Sequence, residues 1–310
     1  MIRTLLAGCA LLPAAALAAP FAYVPNEKSG TVSVIDTATD TVVRTLPGGA
    51  RPRGIASDGK RLFISEAPSD GLVIVDISAE EPTRHIRLGE SPEGVSVSAD
   101  RKRVAVAVEE SNSVVVLDAA TGRKLADIRV RGKNPEHAVF SPDGRWLLVS
   151  AEDAEQVDLV DVKARRQVAQ IPVGARPRGI GFTPDGSRAY VACELVSTVY
   201  AIDMGKRKVI ATIKAGTFSN GVAVAPDGQR VYVSNGKDGT VSVIRTADNQ
   251  VEATLPVGKR PWNMALTPDG RKLYVANGRS NSVSVIDTER LATISEIPVG
   301  ELPWGVVVQP

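Results

Sequence analysis

The chain has 310 residues, with 37 Lys and Arg against 35 Asp and Glu, 43% hydrophobic residues, only 4% aromatic residues, two His and two Cys. Charges of both signs are interspersed and sum to +2. That leaves no basic footprint for nucleic acid, and two Cys cannot build a disulfide framework.

Residues 1–18 carry Arg3, an apolar stretch from Leu5 to Leu17 and the small-x-small sequence Ala16-Leu17-Ala18. This pattern predicts a secretory signal cleaved after Ala18 and export of a mature chain over 19–310. Leu6-Ala7-Gly8-Cys9 also matches a lipobox, with Cys9 as lipid anchor. The short Arg3 to Cys9 spacing and the apolar run continuing past Cys9 favour simple cleavage. No later segment is apolar enough for a transmembrane helix. Removal of the signal leaves Cys193 alone in a strand pattern, expected to be a buried small hydrophobe, and no Cys-x-x-Cys-His is present for covalent haem.

The remainder is a repeat. Gly-x-x-Pro-x-Gly recurs with its Pro position at 52, 92, 135, 177, 219, 261 and 303, Ser219 standing for Pro once, and the intervals run 40, 43, 42, 42, 42 and 42. Such a period leaves no room for a second domain. After each Pro-x-Gly comes a short apolar run, then a turn such as Ser141-Pro142-Asp143-Gly144 or Thr267-Pro268-Asp269-Gly270. Pro fixes φ at the first corner, Asp bonds back to the backbone, and Gly takes the φ other residues avoid. A second strand follows (Tyr190-Val191-Ala192, Tyr232-Val233-Ser234), then a polar tip, then an alternating strand ending in Asp (Thr31 to Asp36, Ser282 to Asp287), then a fourth strand such as Lys208 to Ile213. Period-2 alternation is everywhere and helical spacing nowhere.

Four short strands per repeat define a propeller blade. The mature chain begins at a second strand, Ala22-Tyr23-Val24, and stops after a first strand, Gly305 to Val308. The expected fold is therefore all-β: a seven-bladed β-propeller of four-stranded antiparallel blades, closed by pairing of its N- and C-terminal strands.

Tyr23-Val24-Pro25-Asn26, Tyr232-Val233-Ser234-Asn235 and Tyr274-Val275-Ala276-Asn277, together with Val-Ser-Val-Ile-Asp, resemble the YVTN-repeat β-propellers over nearly the whole mature chain. The series Arg51-Pro52-Arg53-Gly54, Arg176-Pro177-Arg178, Pro261-Trp262 and Pro303-Trp304-Gly305 is similar to exported propellers associated with pyrroloquinoline quinone (PQQ)-dependent alcohol catabolism. That resemblance implies a periplasmic accessory role beside a quinoprotein dehydrogenase or a transporter component. Ser219 and the middle repeats, whose second strands lack the Asn, depart from the pattern.

In a repeat protein the informative residues are those that differ at equivalent positions. Between Pro and Gly the chain reads Arg53, Glu93, Glu136, Arg178, Asn220, Trp262 and Trp304, and the preceding position adds Arg51, Arg176 and Arg260. These face one mouth of the central channel, on loops a rigid scaffold positions. Arg53 is expected to pair with Glu93 and Arg178 with Glu136, with Trp262 beside Trp304. One reading is salt bridges and an aromatic plug. The other is a binding site for a planar small anionic ligand or acidic peptide, with Arg forks on carboxylates and indoles stacking; PQQ suits it chemically. His137, at a position that is Gly in most repeats, is expected to pack rather than ligate, and no zinc site is expected. A lactonase-like hydrolase or lyase would draw on Glu93, Glu136 and His137. A pure protein-interaction scaffold would use blade edges and the acidic tips Glu109-Glu110 and Glu152 to Glu155. The expectation is binding rather than catalysis.

Overall fold

The computed structural model describes residues 20–79 and 81–309; the signal sequence and Cys9 lie outside them. Among the described residues the chain forms seven four-stranded antiparallel sheets. Blade 1 takes Phe21–Asn26, Thr31–Asp36 and Thr41–Pro47 from the N-terminus and Val307–Val308 from the C-terminus. The later blades begin at Pro52, Pro92, Pro135, Pro177, Ser219 and Pro261. Val308 pairs with Ala22 and Val307 with Tyr23, so the ring closes with strands from both ends of the chain, as the repeat phase requires. Two 3-10 turns, Ala67–Ser69 and Glu152–Ala154, are the helical elements among the described residues.

Repeating residues hold this frame. Gly144, Gly186, Gly228 and Gly270 have φ of 67°, 69°, 72° and 72°, the left-handed region that suits Gly. Their Asp partners accept backbone N–H bonds, as Asp269 does from Arg271 at 3.0 Å. Tyr23, Tyr190, Tyr232 and Tyr274 lie buried at the blade interfaces. Neighbouring blades are tied by one recurring contact: a basic side chain opening the second strand donates to a carbonyl of the next blade. Arg188 does so to Thr246 at 2.8 Å and Arg230 to Thr288 at 3.1 Å. Lys272 reaches Thr37 at 2.8 Å across the ring closure.

The Asn of Tyr-Val-x-Asn has a visible purpose. Asn235 accepts a 3.0 Å bond from Gly216 N and donates to Thr240 and Ser242, fastening the linker from the preceding blade to the second and third strands. Where the Asn is missing, other residues take over. In blade 4, Ala151 stands at the Asn position and buried Asp158 accepts from Gly132 N at 2.7 Å. In blade 2, Glu66 accepts from Ala50 N. Cys193 fills the position in blade 5, fully buried, with its thiol pushed up to about 12 by burial.

Two local features turn the Pro-x-Gly segment into the channel. Register shifts interrupt the pairing of first and second strands between Pro52 and Ile55, Pro92 and Val95, Pro135 and Ala138, Pro177 and Ile180, Ser219 and Val222, and Pro261 and Met264. Such bulges re-aim side chains. Immediately before the Pro position, Ser91, Asn134, Arg176, Phe218, Arg260 and Leu302 adopt positive φ of 52–62°. The second Gly of the motif admits the neighbouring blade: a Cβ on Gly94 would stand 2.7 Å from the Glu136 carbonyl oxygen.

Candidate functional site

The ring of variable residues surrounds a cavity of about 290 Å³ at one channel mouth. Nine of the eleven residues singled out by sequence line it: Arg53, Glu93, Glu136, Arg176, Arg178, Asn220, Arg260, Trp262 and Trp304. Arg51 stands outside that lining with its guanidinium on Glu27. His137 lies lower, in a chamber of about 130 Å³ shared with Asn263 and Trp304. Its ring stacks on Trp304 with centroids 5.8 Å apart and planes 20° apart. Burial lowers its pKa against the opposing pull of Glu136, and Nδ1 is out of solvent without a hydrogen-bond partner. This is a packed imidazole, as expected. His85, on the outer strand Glu81–Arg87, is 2.8 Å from Ser69 Oγ and plays no part at the mouth.

A second ring was missed by sequence reasoning. The residue following each second strand reads Glu27, Ala67, Glu109, Glu152, Glu194, Gly236 and Gly278 around the molecule. Glu27, Glu109 and Glu152 line the cavity. Glu194 anchors its arginines from behind, only 2% of its side chain exposed. Glu109 and Glu152, expected at acidic blade tips, turn inward instead because they sit at the strand end rather than at the apex of the loop. The fourfold recurrence of Glu at one repeat position was the signal that could have found them. Gly278 matters for the opposite reason: a Cβ there would collide with the six-membered ring of Trp262.

The guanidinium groups are engaged. Arg53 bonds Glu27 at 3.1 Å and Glu93. Arg178 reaches Glu136 at 2.8 Å, Glu194 at 3.0 Å and Glu152. Arg260 takes Glu194 at 2.7 Å, and Arg176 lies 3.4 Å from both Glu152 and Glu194. The two expected pairs, Arg53 with Glu93 and Arg178 with Glu136, are both present. A carboxylate ligand would have to displace these glutamates, which burial makes costly because the released charges lose their partners.

The carboxyls are less well satisfied than the arginines. Burial, then the neighbouring Glu136 charge, pushes Glu93 up to about 8 against the pull of Arg53. Burial and Glu136 likewise push Glu152 up to about 7. Glu109, bonded to Ser91 Oγ at 2.7 Å, is also raised, chiefly by burial. Glu194 goes the other way: burial would raise it, but Arg178, Arg260 and Arg176 hold it down. One oxygen each of Glu109, Glu136 and Glu152 fall within 4.8 Å of one another. The mouth therefore has two sides. Glu27 and blades 2 to 5 present carboxyls and arginines, joined by Arg260 just ahead of blade 7; Asn220, Trp262, Asn263 and Trp304 come from blades 6, 7 and 1.

Fold and site together define a seven-bladed β-propeller with a ligand-sized, chemically divided channel mouth. Residues 160–296 match the sequence model of the family described as Lactonase, 7-bladed beta-propeller. Among solved structures, Kuenenia stuttgartiensis hydrazine synthase is similar at 24% identity and TM-score 0.77, over 86% of this chain and 92% of that one. A functionally unknown protein from Desulfotomaculum acetoxidans DSM 771 is similar at 16% identity and TM-score 0.81, over 93% and 98%. Both likenesses speak to the fold. No curated protein sequence matches the chain. Among the described residues no helix is long and apolar enough to cross a membrane.

Proposed function

We propose that the protein is a small-molecule-binding propeller that seats a ring-bearing or methyl-rich ligand in the channel mouth against Trp262 and Trp304. The observation that carries this is the cavity of about 290 Å³, near the lower end of ligand-pocket sizes, with two indoles on one wall and buried carboxyls on the other. Of the two readings of the arginines, that of internal counter-ions fits better, with Arg53 on Glu27 and Glu93, and Arg178 on Glu136, Glu152 and Glu194. PQQ accordingly enters the proposal through a partner quinoprotein dehydrogenase rather than as the occupant of this mouth. Export to the periplasm and an accessory role beside that dehydrogenase or a transporter are the setting the sequence resemblance suggests. Intrinsic fluorescence tests the binding reading with anionic, neutral and cationic ring compounds, PQQ among them. A saturable change that Trp262→Phe or Trp304→Phe weakens supports it, and no saturable change with any class refutes it.

A second reading, lactone hydrolysis, is favoured by one observation: Glu152, pushed up to about 7 chiefly by burial and within 4.8 Å of carboxyl oxygens of Glu109 and Glu136, could hold a proton and act as general acid. The family match adds its name to that reading. However, Glu93, Glu109, Glu136 and Glu152 all precede the matched stretch, 160–296, so the match does not reach the residues that would do the chemistry. A pH-stat assay with simple lactones separates the readings: turnover lost in Glu152→Gln favours hydrolysis.

A further inference from the structure

We infer that the rim of the channel face between blades 6 and 7 is a docking surface for a short acidic segment of a partner protein. The surface is independent of whatever the mouth holds. It is a groove of about 630 Å³ lined by Phe218, Lys237, Asp238, Lys259, Arg260 and Arg279. Arg260 also lines the mouth, so groove and mouth open on the same face of the ring.

Its cations are unspent. Lys237, Lys259 and Arg279 are exposed, and among the described residues none of their side chains has an ion pair or a hydrogen bond. The arginines of the mouth are engaged instead, Arg260 among them, at 2.7 Å from Glu194. Asp238, the acid of this lining, spends its Oδ2 on Thr217 N at 2.6 Å. Lys237 and Arg260 both lie over the Phe218 ring, 5.8 and 5.3 Å from its centroid. That contact limits the freedom of the Lys237 ammonium before any partner arrives. Cations so placed draw in carboxylates and orient their approach.

An apolar neighbour makes the surface more than a charge patch. Both ends of the blade 5 tip are tied to the groove: Glu194 holds Arg260, and Ser197 Oγ accepts from Phe218 N at 3.4 Å. Between those anchors Leu195 is 58% exposed, the most of any large apolar side chain among the described residues, and Val196 beside it is 37% exposed. An exposed Leu alone says little. Next to an aromatic ring and a row of cations, it supplies the apolar anchor and charged rim that protein interfaces combine.

The extent of the patch selects the partner. The tip position occupied by Leu195 is Glu110 and Asp153 in blades 3 and 4, and Lys237 and Arg279 in blades 6 and 7. On blade 1 it is Lys28, already paired with Glu301 at 2.6 Å. The free basic stretch is therefore short, with an apolar and then acidic border on one side and Glu301 on the other. A nucleic acid or an anionic membrane would carry its charge on over those acids, whereas a short acidic segment ends with the patch. A single small anion would leave Leu195 unused.

Fluorescence anisotropy on the whole protein tests this with three labelled probes: a peptide of Asp and Glu around a central Leu, the same peptide with Asn and Gln in place of the acids, and an oligothymidylate of equal charge. Citrate serves as unlabelled competitor. The acidic peptide is expected to bind at least ten-fold more tightly than its amide counterpart and to weaken as salt rises. Lys259→Glu combined with Arg279→Glu should weaken it at least ten-fold and Leu195→Ser about three-fold. Lys163→Gln, exposed on the turn after Asp161, should leave it unchanged. All four positions are exposed, so the ring stays folded. Silence of the acidic peptide, equal binding of the two peptides, or equal weakening by Lys163→Gln overturns the proposal. Tighter binding of the oligothymidylate, or citrate competing at the peptide's own affinity, overturns the choice of a polypeptide and with it the proposal. Each failure leaves the mouth untouched, because ring compounds there are read by tryptophan fluorescence.

Discussion

In blades 6 and 7 the residue after the second strand is Gly236 or Gly278, and the space it leaves is filled by Arg260 and Trp262. In blades 3, 4 and 5 the same position is Glu109, Glu152 or Glu194, and the space holds buried acid. One backbone framework thus supports two opposite chemistries, set by whether a repeat position is Gly or Glu. The carboxylate side is an ionic network whose members depend on each other. The indole side is a packed surface whose members do not. The two sides should therefore respond differently to single substitutions, to pH and to salt.

The largest effect is expected at Arg178, which serves Glu136, Glu152 and Glu194 and keeps only 14% of its side chain exposed. Arg178→Ala strands three buried carboxyls and should cost about 3–5 kcal/mol at pH 8. At pH 5 the loss should shrink because the stranded groups can take up protons. Urea denaturation at both pH values measures this, and an equal loss at both would show that Arg178 acts through packing alone.

The intact protein should itself lose stability as pH rises. Glu93 near 8 and Glu152 near 7 lie above the unfolded carboxyl value of about 4.3. The folded state then holds protons that the unfolded state releases. This contribution is fully present below about pH 4.3 and is lost as pH rises through 7 to 8. Each retained proton gives a slope of about 1.4 kcal/mol per pH unit inside that window. Glu93→Gln and Glu152→Gln should each flatten the curve, whereas Trp262→Phe should leave its slope unchanged. The groups that face these two carboxyls, Glu109, Glu136, Arg53, Arg176 and Arg178, all belong to the carboxylate side or its Arg53 flank.

On the indole side, Trp304→Ala removes the ring stacked on His137 and should cost about 1–3 kcal/mol with little dependence on pH. A cost that varied strongly with pH would mean the two sides are coupled through His137. The smallest effect is expected at the rim: Arg51 is about half exposed on Glu27, and Arg51→Ala should change stability by less than about 1 kcal/mol, vanishing in high salt.

Much of this was legible in the sequence because a propeller repeats its instructions. The Pro positions gave the blade count, and the phase of the two ends gave the closure between Ala22 and Val308. The inner ring could be read because Arg53, Glu93, Glu136, Arg178, Asn220, Trp262 and Trp304 differ where the rest of the motif agrees. The second ring was hidden by its neighbours. Glu109 is followed by Glu110, and Glu152 by Asp153, so each reads as part of a polar loop tip. Only the strand ends at Val108 and Ala151 show that the first acid of each pair turns toward the channel. For the same reason the sequence left two readings of the arginines side by side: with Glu27, Glu109, Glu152 and Glu194 unseen, five guanidinium groups near a mouth suit an anion site as well as salt bridges.

The most direct measurement follows from the scarcity of Trp. Only Trp146, Trp262 and Trp304 are present, and Trp146 lies away from the cavity under Arg145 and Arg207. In a Trp146→Phe background, fluorescence reports the mouth alone. Titration with anionic, neutral and cationic ring compounds should then give, for one class, a saturable change that Trp262→Phe shifts to higher concentration. A flat signal up to millimolar concentration with every class, with calorimetry also silent, would contradict the account.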